Sequence, residues 1–168
     1  MRWPLLLIGI FLLQGRMEAQ HEHHSSQLPV LVDGARTPEA IPDGLAYTHF
    51  LTAIALEAGA PEEARKRQAA QLLPLGLEPE HQEALKRILA HLKAGLNETE
   101  RGLQEASRGV QTLEASQRIA ALLARRAQLP AAAVEEIRRA LPEEALALIE
   151  EHVRTHVKRR IVIYGTKP

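Results

Sequence analysis

The chain has 168 residues, no cysteine, and 21 basic against 21 acidic residues. No disulfide can brace it. Balanced charge removes the usual basis for generic binding to nucleic acid or anionic lipid. Residues 1–19, MRWPLLLIGIFLLQGRMEA, place Arg2 before an apolar run and a small residue, Ala19, before a polar segment. This is the pattern of a secretory signal peptide, expected to be cleaved after Ala19. The apolar run, residues 3–13, is shorter than the ~20 residues that span a hydrocarbon core, and no cysteine follows it for lipid attachment. The expected location is therefore outside the inner membrane, periplasmic or extracellular. The mature chain loses Arg2, Arg16 and Glu18, which leaves 19 basic and 20 acidic residues, a net charge of −1 with histidines neutral. Its aromatics reduce to Tyr47, Phe50 and Tyr164, so the core must come from Leu, Ala, Ile and Val. That composition favours helices.

Residues 20–36 open with QHEHHSSQ, read as a flexible His-rich stretch, and continue as LPVLVDG, a short extended piece closing in an Asp33-Gly34 turn. A helical domain is expected over residues 37–160 and an extended tail over 161–168. Thr37 before Pro38, and Asp43 after Pro42, are start signals for helical turns. From Gly44, the positions Leu45, Phe50, Leu51, Ile54, Ala55 and Ala58 follow helical spacing, with Gly59 able to close the helix. A second helix is expected from Pro61, with Glu62 and Glu63 in its first turn, to about Pro74.

The third helix starts at Pro79. Its apolar stripe, Leu85, Leu89, Leu92, Leu96, Thr99, Leu103, Ala106, Val110 and Leu113, is spaced alternately by four and three, as in a coiled coil. Gly95, Gly102 and Gly109 each weaken a helix by ~1 kcal/mol relative to alanine, and Asn97 with Glu100 resembles a capping box. The stripe keeps its phase through Gly95, so one helix to about Arg108 is expected, with the turn at Gly109. A fourth helix, residues 113–128, has Ile119, Leu122 and Leu123 as its apolar face. Pro130 is expected to start a short fifth helix. Pro142 opens the last, with the stripe Leu146, Ile149, Val153 and Val157. The expected fold is all-α, a helical bundle or long antiparallel helical hairpin with a short extended N-terminal segment.

His152 and His156 lie four apart on the last helix, a spacing able to grip zinc or copper. Arg154, Lys158, Arg159 and Arg160 crowd the same end and repel a cation. Val153 stands where the zincin pattern has glutamate. The basic cluster also complements the negative end of the helix dipole, and it is a candidate docking point for an acidic partner or lipid headgroups. The residues after it, IVIY, have strand propensity and are expected to lie beside PVLV. No phosphate loop, nucleophile elbow or cysteine nucleophile is present. No enzyme activity and no cofactor are therefore expected, weak zinc or copper binding being the alternative.

Two stretches, VDGARTPEAIPDGLAYTHFL (residues 32–51) and LPEEALALIEEHVRTHVKRRIVIYG (residues 141–165), resemble an uncharacterised family of secreted bacterial all-helical proteins. Its expected signatures are a D-G-x-x-x-P-E-x-I-P-D-x-x-A-Y front and an H-V-K-R-R-I-x-I-Y-G end. LGLEPEHQEALKRIL (residues 75–89) is similar to helix starts in periplasmic stress chaperones and metal-responsive proteins of the Spy/CpxP/ZraP type. The leading expectation is a non-enzymatic exported protein that engages a protein partner or itself through a helical surface. A periplasmic holding chaperone is the second, and metal binding or sensing the third.

Overall fold

The computed structural model describes residues 30–57, 61–108 and 112–165. The signal-peptide and His-rich expectations, together with Ala58, Gly59, Gly109 and Val110, lie outside the described residues. Five α-helices pack around one apolar core: α1 (Asp43–Ala55), α2 (Pro61–Leu72), α3 (Pro79–Ser107), α4 (Leu113–Ala140) and α5 (Glu143–His152). The all-α expectation is met. The core is aliphatic apart from Phe50, with Ile41, Leu51, Leu72, Leu85, Leu89 and Ile149 fully buried.

The α3–α4 hairpin dominates the architecture. At 1.5 Å per residue, each of its helices is about 42 Å long. The helix α3 runs unbroken through Gly95 and Gly102, and the capping box at Asn97 is not used. The glycines have a packing reason. A Cβ on Gly95 would lie 3.0 Å from a methyl of Leu129, and one on Gly102 would lie 3.1 Å from a methyl of Leu122. Seven residues separate the glycines and seven separate the leucines, so two knobs of α4 fill two holes of α3 in antiparallel register. Cross-links follow the same register: Glu98–Arg125 at 2.9 Å, Glu100–Arg126 at 2.9 Å and Glu105–Arg118 at 3.8 Å. Thr99, fully buried on the stripe, donates its hydroxyl to the carbonyls of Leu96 (2.9 Å) and Gly95 (3.1 Å). Its polarity is thereby satisfied within its own helix.

Three expectations change here. Pro130 does not start a helix but lies buried inside α4. Proline removes one helical hydrogen bond and crowds the preceding turn. Tertiary packing overrides that cost, because Leu129 seats on Gly95 on one side while Ala133 and Ile137 enter the core on the other. Leu123 is 51% exposed and Leu113 is 75% exposed, so of the expected face Leu122 packs inward, and Leu129 rather than Leu123 continues it. Leu45, expected on the apolar face of α1, is also exposed, and Ala46 takes the buried position.

The last helix departs from α geometry. After His152 it winds through one π-turn (Val153–Val157) and a short 3-10 turn (Lys158–Arg160). It then enters strand β2 (Val162–Gly165), which pairs antiparallel with β1 (Val30–Asp33), Val30 facing Gly165 and Asp33 facing Val162. The β-branched tail does lie beside the extended front segment.

Candidate functional site

Front and end segments meet at one place. The Asp33 carboxylate accepts from the Ala35 amide (2.9 Å) and its carbonyl from the amides of Arg36 and Thr37, which makes the tight turn after β1. The Thr37 hydroxyl also donates to the Asp33 carbonyl rather than capping a helix. Gly34 presses against the 3-10 turn, its amide donating to the Ile161 carbonyl at 2.9 Å. A Cβ there would lie 1.9 Å from the Lys158 carbonyl oxygen, so only glycine fits. Ile41 is completely buried behind this turn.

The basic cluster does not act as one patch. Lys158 is buried, its side chain 11% exposed, and its ammonium meets the Asp43 carboxylate at 2.6 Å, with Asp43 81% exposed. Arg154 pairs with Glu151. Arg159 and Arg160 are exposed and have no ion-pair partner among the described residues. The cluster therefore splits into one structural lysine, one paired arginine and two open arginines.

A groove of about 630 Å³ opens between α1, α4 and α5. Asp43, Tyr47, Glu135, Arg138, Glu150 and Arg154 supply its polar lining. Three carboxylates at its rim are ion-paired: Asp43 with Lys158, Glu135 with Arg138 (2.7 Å), and Glu151 with Arg154. Tyr47 is the unusual member. Burial first, and then the negative charges of Glu150 and Asp43, push its phenol up to about 12, against a lowering by Arg138. A phenol held protonated offers a hydrogen-bond donor at the groove wall. Among the described residues, no histidine, serine or cysteine lines this groove. Little in the residue pattern pointed to it, since Tyr47 had only its rarity as an aromatic to single it out.

His152 and His156 do come together. Their rings stack at 4.9 Å between centroids, 13° from parallel, and Phe50 lies tilted against His152 at 5.6 Å. The Thr155 hydroxyl and His156 Nδ1 are 2.6 Å apart. Burial, then His156 and Arg160, push the His152 imidazole below its ordinary value. Among the described residues, the only trio of metal-binding side chains with ligand atoms all within 4.8 Å is Glu78, Glu80 and His81. It sits at the start of α3, where the helix dipole opposes a cation. Among the described residues, no third ligand atom lies within 4.8 Å of both His152 and His156.

No helix among the described residues is long and apolar enough to cross a membrane. Comparisons with protein-family models, with curated proteins and with solved structures return no match to this chain.

Proposed function

We propose that this is a non-enzymatic, exported helical protein that acts through the outer half of its α3–α4 hairpin on a protein surface, a partner or a second copy. Export rests on the sequence of residues 1–19. The carrying observation is how burial fades along the hairpin. Beyond Leu96, α3 buries only Thr99 and Gly102, and α4 buries nothing before Pro130. Knob-and-hole packing and three Arg–Glu links hold this half together as a two-helix arm. The arm leaves Leu113 and Leu123 open to solvent on α4, where neither contributes to the core. Exposed leucines on an otherwise charged helical pair are the raw material of helix-to-helix recognition.

The test is a Leu113→Glu, Leu123→Glu double variant, with circular dichroism to show that its helices persist. In self-association, the wild type gains mass with concentration in light scattering and the variant stays a monomer. With a separate partner, the wild type stays a monomer alone and the variant loses the partner that co-purifies from envelope extract. A variant indistinguishable from the wild type in both assays would remove the arm from consideration.

A further inference from the structure

We infer that a second cavity, walled by His49, His152, His156 and Arg160, is a binding site for a small amphipathic anion, a carboxylate carrying an aliphatic chain. The inference stands apart from the hairpin arm and does not depend on it. The cavity holds about 340 Å³, near the lower end of the ~300–1,000 Å³ typical of small-molecule pockets. Its lining is of two chemical kinds. Phe50, Ala53, Ile54, Pro74 and Val157 give an apolar wall, while three imidazoles, one guanidinium and the Gln71 amide give the polar end. Among the described residues, no carboxylate lines it.

The polar end is built by three elements. His49 and Phe50 come from α1, Gln71 from the end of α2, and His152, His156 and Arg160 from the last helix and its irregular turns. The π-turn at Val153–Val157 winds extra chain into the helix and thereby resets the direction of every side chain after it, Arg160 included. Such turns are frequent at functional sites.

Charge is the decisive point. On the α1–α2 side, Glu57 is already committed, accepting from the cavity-lining Gln71 at 2.8 Å and lying 3.7 Å from Arg67. Arg160 keeps a permanent charge with no acidic partner among the described residues. The pocket therefore gathers three imidazoles around one guanidinium that no carboxylate among the described residues pairs with. Burial, then repulsion from His156 and Arg160, disfavours the His152 imidazolium, and a bound carboxylate would oppose the repulsive part, since opposite charge favours the charged form. The apolar part of the lining reaches solvent at Ala53 and Pro74, and an aliphatic chain would cover it where a bare inorganic anion would not.

The probe is octanoate, titrated into the full mature chain at pH 6 and pH 8 and followed by thermal unfolding and by the histidine ring signals in NMR. Inorganic phosphate and sodium chloride at matched ionic strength serve as comparisons. Octanoate is expected to raise the unfolding temperature saturably, more at pH 6, and to shift the ring signals of His152 and His156. Arg160→Gln, an exposed change that leaves the core intact, is expected to weaken binding about tenfold or more, from loss of a charge-assisted hydrogen bond. Ala53→Trp, which fills the cavity, should abolish the effect. The inference is overturned if octanoate does no more than chloride, if phosphate equals octanoate, or if Arg160→Gln binds like the wild type.

Discussion

Replacing Gly34 with alanine tests how the two chain ends are joined. The added Cβ would sit 1.9 Å from the Lys158 carbonyl oxygen and 2.8 Å from that of Ile161. Both are backbone atoms, so no side chain can swing aside. The segments must part by about 1.1 Å before the closer contact reaches 3.0 Å, below which real Cβ contacts essentially never fall. That movement stretches the Gly34-to-Ile161 hydrogen bond beyond its 2.9 Å and disturbs the β1–β2 pairing next to it. Overpacking costs about 1–3 kcal/mol, and a lost buried hydrogen bond adds ~1 kcal/mol. For a domain of this size each kcal/mol moves the midpoint by roughly 2–4 °C, so thermal unfolding should occur about 5–15 °C lower. Gly44→Ala is the control. Nothing lies within 4 Å of its Cβ, it sits in the first turn of α1, and alanine there is expected to be neutral or to stabilise by up to ~1 kcal/mol. Equal midpoints for Gly34→Ala and wild type, or equal losses for both variants, would refute the close approach.

Asp43→Asn leaves the Lys158 ammonium short of a counter-charge while half the pair is already solvated, so a loss of about 1–2 kcal/mol in urea denaturation is expected. Lys158→Met with Asp43→Asn should recover part of it. Gly102→Leu drives a branched side chain into Leu122 and is expected to cost about 1–3 kcal/mol, with faster amide exchange in the outer half of the hairpin than in α5. Tyr47 gives a pH signature. Its folded value, about 12, lies above its ordinary 10.0. The neutral phenol's contribution is therefore complete below about pH 10 and is lost as pH rises toward 12. Ultraviolet titration in a Tyr164→Phe background, which leaves Tyr47 as the one tyrosine, should show a tyrosinate step near pH 12 that Tyr47→Phe removes; a step near 10 in that background would mean the groove wall is open at that point.

Periodicity made the helices legible. The stripe from Leu85 to Thr99 kept one phase, and burial follows it. Pairing of the extended front with the tail was also readable, from β-branched residues at both ends of a helical chain. What escaped was anything that depends on a partner distant in sequence. Gly95 and Gly102 read as weak points because Leu129 and Leu122, which fill the space above them, lie about 20–34 residues further on. Pro130 read as a helix start because local rules know nothing of a core on both sides of it. The basic cluster read as one patch, since only the fold shows Asp43 reaching Lys158 while Arg160 faces a cavity with His49 from another helix. Side-chain chemistry at the cavities, in short, is set by contacts between helices, and single-helix spacing carries no record of those contacts.

The account turns on whether the outer hairpin is the working surface. A photoreactive residue placed at Leu113 or at Leu123, and for comparison at Leu73, which is as exposed as Leu113 but lies in the turn before α3, at the other end of that helix from Leu113, would report what each touches in living cells. The account predicts one discrete cross-linked product from both hairpin positions, identified by mass as a single partner or a second copy, and none from Leu73. Cross-links from Leu73 with none from Leu113 or Leu123 would contradict it.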